Sequence, residues 1–141
     1  MNTKAIWIVS VAGLLLAASA PLFAHHSFAA EFDSSKPVTL QGTVSKVEWM
    51  NPHIWIYVEA KDESGSTAKW QCEGGAPNGL TRQGWSKNTL KPGDEIHIEG
   101  FRAKDATNTC NSRSVKLPDG RTVFVGNAED GGPNAKGAPK Q

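Results

Sequence analysis

From Pro37 onward the chain alternates apolar and polar residues in short runs separated by turn signals. "PVTLQGTVSKVEW" places Val38, Leu40, Gly42 and Val44 in one phase and Val47 and Trp49 in the other. A phase shift beside a glycine predicts one long strand carrying a bulge or sharp bend. Asn51-Pro52 is a turn. "HIWIYVEA" then puts Ile54, Ile56 and Val58 on one face and His53, Trp55, Tyr57 and Glu59 on the other, the period-2 signature of a half-buried strand. After the polar loop "KDESGS", "TAKWQCEG" reads as a third strand with Trp70 and Cys72 on one face. "PNGLTRQGW" has the one helical look in the mature chain, weakened by Gly79 and Gly84. "LKPGDEIHIEGFRAK" gives a Pro-Gly turn and a fourth strand, with Ile96 and Ile98 opposite Glu95, His97 and Glu99. "DATNTCNS" reads as a loop, and "RSVKLPDGRTVFVG" as two strands about Pro118-Asp119-Gly120.

Five or six short strands, a long bent first strand and one small helix between the third and fourth predict an all-β, OB-like barrel. A β-sandwich usually needs about seven strands.

The N-terminus changes what the mature protein is. Lys4 precedes the apolar run Ala5 to Ala20, then Pro21. That run is shorter than the roughly 20 residues of a transmembrane helix and has the layout of a cleavable signal. A cut after Ala20 would leave Pro21 behind the scissile bond. A cut after Ala24 has a small residue at the cut and Leu22 two residues before it, so residues 1–24 are assigned as the signal peptide. A periplasmic or secreted protein is expected, with no stable membrane span after cleavage. Removing 24 of 141 residues leaves 117, enough for one domain. Residues 25–36 form an N-terminal arm in which Phe28 and Phe32 share one side of a helical turn. The barrel takes residues 37–126, and the Gly- and Pro-rich residues 127–141 read as a disordered tail.

Loss of Lys4 leaves 14 basic and 14 acidic residues, so no basic field draws nucleic acid from a distance. Cys72 and Cys110, two cysteines in an exported chain, predict a disulfide. The alternative, a pair of metal ligands, lacks CxxC spacing.

Taken in order, "HHSFAAEFD", "GTVSKVEWMNPHIWIYVEA", "GAPNGLTRQGW", "LKPGDEIHIEGFRAKD" and "LPDGR" resemble an uncharacterised family of small secreted bacterial proteins, a domain of unknown function numbered 6152. The likeness runs from about His25 to Val125. It implies secretion and a small β-barrel and carries no established activity. Cys72 and Cys110 stand outside the motifs that carry it.

Candidate chemistry is sparse. There is no GxSxG, no HExxH and no phosphate-binding glycine loop, and the carboxylates are scattered, so the expectation is a binding protein and not an enzyme. Two binding readings remain. Cleavage after Ala24 makes His25 the N-terminal residue, which offers an α-amine and a ring nitrogen together. A further imidazole, first from His53, otherwise from His26 or His97, would complete a nitrogen-rich site suited to Cu(II). Alternatively, Trp55 and Tyr57, with help from His53, form an aromatic strand face for a small organic or saccharide ligand. The expectation preferred over that ligand platform is structural: Phe28 and Phe32 of the arm cover this face as packing. Trp85 is expected to plug one end of the barrel.

Overall fold

The computed structural model describes residues 28–61 and 64–126. The expected signal segment, His25, His26 and the expected tail lie outside them.

The order is α1 (Phe28–Glu31), β1 (Phe32–Glu48), β2 (Trp55–Lys61), β3 (Thr67–Glu73), α2 (Pro77–Arg82), β4 (Glu95–Ala103), β5 (Thr109–Lys116) and β6 (Thr122–Phe124). The strands form one six-stranded sheet in the order β3-β2-β1-β4-β5-β6, and a further pairing of β3 with β5 makes it ring-like. Neighbours are antiparallel except at that closing seam, where Gln71, Cys72 and Glu73 run parallel to Thr109, Cys110 and Asn111. This is the expected all-β, OB-like arrangement.

The phase shift in β1 is a bulge. Val44 faces Val58 and Lys46 faces Tyr57, with the register shifting between them. Gly42 lies between Ala60 on β2 and Ile96 on β4. A Cβ there would stand 2.2 Å from the Glu59 carbonyl oxygen, so only glycine lets the bent strand approach β2 this closely. The inward residues Leu40, Val44, Ile56, Val58, Ile98 and Val115 are almost fully buried. Leu80 of α2 and Trp85 join that core, which accounts for the small helix and for the tryptophan behind it.

The seam is covalent. Cys72 and Cys110 are bonded, with Cα atoms 4.5 Å apart, so the expected disulfide links residues directly opposite in the register. Gln71 Nε2 donates to Thr109 Oγ1 at 3.0 Å beside it.

Three expectations need correction. β5 begins at Thr109, inside the stretch read as a loop. Its start is short and polar in sequence, and its burial comes from the disulfide and from pairing with β3. β1 begins at Phe32, within the residues assigned to the arm, and Phe32 pairs with Ala103 of β4. Finally, the arm's rings do not pack on Trp55 and Tyr57. Phe28 and Phe32 cluster with Ala103 and Phe101, and the Phe28 ring meets Phe101 edge-on at 5.6 Å. Lys104 N–H donates to the Glu31 carbonyl at 2.9 Å and holds α1 against the end of β4.

Candidate functional site

The outer surface of the ring carries a row that crosses four strands. Trp55 on β2 faces Glu73 on β3, Glu73 faces Asn111 on β5, and Asn111 faces Phe101 on β4. The Phe28 ring closes the row on Phe101, and the Arg113 guanidinium lies 4.8 Å from the Phe28 ring centre.

His53 stands just ahead of β2, behind the bend at Asn51 and Pro52. Its Nδ1 pairs with Glu73 Oε1. The other Glu73 oxygen accepts a long hydrogen bond from Asn111 Nδ2 at 3.4 Å. Glu73 and Asn111 are buried, and the His53 ring is 18% exposed. A buried carboxylate is costly unless paired, and here an imidazole and an amide supply the pairing. Asn111 Oδ1 is buried and has no hydrogen-bond partner.

A carboxylate on Nδ1 fixes ring orientation and tautomer, and it raises the basicity of Nε2. Metal-binding histidines are commonly held in this way. Among the described residues no group of three or more His, Cys, Asp and Glu side chains gathers around one point, so His97 does not join His53 and Glu73. His97 instead faces Gln41 on β1 and Lys116 on β5. The expected metal residues His25 and His26 lie outside the described residues.

The aromatic face is divided. Tyr57 donates its hydroxyl to Glu48 Oε2 at 2.9 Å. Lys46 pairs with Glu48 and sets its ammonium 5.3 Å from the centre of the Tyr57 ring. The Lys46 hydrogen bond, with the Tyr57 hydroxyl second, holds the Glu48 carboxyl below its usual range. Burial, reinforced by the bond to Glu48, pushes the Tyr57 phenol above its usual value. Tyr57 is therefore engaged towards β1, whereas His53 is engaged towards β3. Trp55 lies between them, half-buried.

Glu73, Asn111 and Arg113 escaped the sequence reading. Alternation puts Glu73 on the face opposite Trp70 and Cys72, which ordinarily means solvent. The signal was the cysteine pair itself, because bridging Cys72 to Cys110 in parallel strands brings residues 73 and 111 side by side.

A family model described as a family of unknown function (DUF6152) matches residues 12–112. The chain belongs to that family. The DUF6152 match includes His25, His53, Glu73, Asn111 and both cysteines, and it ends within β5, before "LPDGR". No curated protein and no solved structure matches the chain. Among the described residues no helix is long and apolar enough to cross a membrane.

Proposed function

We propose that the protein is a periplasmic or secreted copper carrier that binds Cu(II) through the α-amine and ring of His25 together with the His53 imidazole. The observation that carries this reading is the His53–Glu73 pair, an imidazole oriented through Nδ1 by a buried carboxylate. The end of the described arm supports it. Phe28 rests on Phe101, and Phe101, Asn111 and Glu73 stand on successive strands, so Phe28 and the carboxylate that holds His53 share one outer row, and His25 is three residues from Phe28 in sequence. The amine and two imidazoles make a three-nitrogen set that suits tetragonal Cu(II). His26 is the alternative donor from the arm. No catalytic step is assigned.

The reading of Trp55 and Tyr57 as a platform for an organic or saccharide ligand is weaker, because Lys46 already occupies one face of the Tyr57 ring.

Intact mass of the exported protein locates the cut, and Cu(II) titration follows binding. The expected result is a chain starting at His25 whose affinity falls on His53→Ala and falls as pH drops through about 8, where the α-amine gains its proton. A chain starting at Pro21, or affinity unchanged by His53→Ala, overturns the reading.

A further inference from the structure

A second surface, sharing no residue with the His53 site, is organised in rows of opposite charge. The β2–β1, β1–β4 and β4–β5 registers align Lys61 with Gln41, Gln41 with His97, and His97 with Lys116. Two residues along, Glu59 aligns with Thr43 and Thr43 with Glu95. One row thus offers two ammonium groups, an imidazole and an amide, and the other offers two carboxylates and a hydroxyl. The rows are about 7 Å apart, the rise of two strand residues.

These residues line a groove of about 690 Å³, walled on one side by Leu117, Pro118 and Gly120 of the β5–β6 turn. The volume is in the range of small-molecule sites, but the lining is polar where such sites are mostly apolar. Among the described residues, Lys61, His97, Lys116 and Glu95 make no side-chain hydrogen bond or ion pair. Glu59 has one exposed contact, with Lys69 at 3.9 Å. His97 and Lys116 are directly opposed across the strands, an arrangement that is repulsive whenever the imidazole is protonated. An opposite charge at such a position would be stabilising. An oxyanion seated between them removes the repulsion, and an ammonium on the same ligand meets the carboxylate row.

We propose that this groove binds a small zwitterion whose oxyanion, a carboxylate or a phosphate, lies on the Lys61–His97–Lys116 row and whose ammonium lies about 7 Å away on the Glu59–Glu95 row. The spacing and the charge order select the ligand. A plain anion meets the carboxylates, and a plain cation meets the lysines.

The test uses amide chemical-shift titration of the mature protein with 6-aminohexanoate, 4-aminobutyl phosphate of the same length, hexanoate and hexylammonium. Saturable shifts confined to the groove are expected for a zwitterion, with the singly charged probes about tenfold weaker or worse, as loss of one charge-assisted contact implies. The stronger of the two zwitterions identifies the oxyanion. Lys116→Gln should weaken zwitterion and hexanoate alike. Glu95→Gln should weaken the zwitterion and strengthen hexanoate. No saturable shift with either zwitterion, or hexanoate binding as tightly as 6-aminohexanoate, overturns the proposal. Neither result depends on copper.

Discussion

Replacing Cys72 and Cys110 together by alanine should remove a large part of the stability of the fold. The two cysteines are 38 residues apart, and closing a loop of that length constrains the unfolded chain by about 4 kcal/mol in the chain-entropy model. The seam they close is short, with three residue pairs between β3 and β5. Both side chains are fully buried, so alanine also leaves a cavity, which adds to the loss. Reduction of the unaltered protein leaves the sulfurs in place and isolates the chain-entropy contribution. A domain of this size has total stability towards the lower end of 5–15 kcal/mol. With a urea m-value of roughly 1.5 kcal/mol/M, the midpoint on reduction should fall by about 2.5 M. Equilibrium urea unfolding of oxidised and reduced protein, followed by tryptophan fluorescence, measures this directly. A loss below about 1 kcal/mol would refute the reasoning, since the ring would then close on strand pairing and core burial alone.

Other outcomes follow from the same contacts. Glu73→Gln keeps the shape but removes the carboxylate on His53 Nδ1; Cu(II) affinity should drop about 10- to 100-fold with the far-UV spectrum unchanged. Glu48→Gln should bring the Tyr57 phenol part of the way back towards 10, because burial, its larger cause, remains; ultraviolet titration of the phenolate reads this. The raised Tyr57 value means its contribution to stability is present below pH 10 and lost as pH rises through the folded value, whereas the depressed Glu48 value means its contribution is present above pH 4.5 and lost as pH falls. Unfolding midpoints should therefore decline at both ends, and Glu48→Gln should abolish the acid-side share that comes from this group. Gly42→Ala drives a Cβ onto the Glu59 carbonyl and should destabilise by at least about 2 kcal/mol in thermal unfolding.

Much of the fold was legible because its signals are local. The shift from Val44 to Val47 marks the bulge, alternation in "HIWIYVEA" marks β2 and its buried face, and Gly79 within and Gly84 just beyond Pro77–Arg82 mark a helix that is short. The start of β5 was not legible, because "TCNS" has no apolar alternation and owes its place to a partner strand 38 residues away. The site divides in the same way. His53 stood out by residue type, yet its carboxylate partner did not, since Glu73 looks like any solvent-facing strand residue until the disulfide sets Asn111 beside it. The arm was placed on the wrong strands because two phenylalanines reveal that they will be buried but not which surface receives them. Lys104, holding α1 to β4, decides that only in three dimensions.

The central claim, that His25 and His53 share one Cu(II), is tested most directly by EPR of the mature protein at one equivalent of Cu(II). Coupling to three nitrogens is expected, reduced by one in His53→Ala and replaced by a different spectrum when three alanines precede His25. Identical spectra for the unaltered protein, His53→Ala and the extended chain would contradict it.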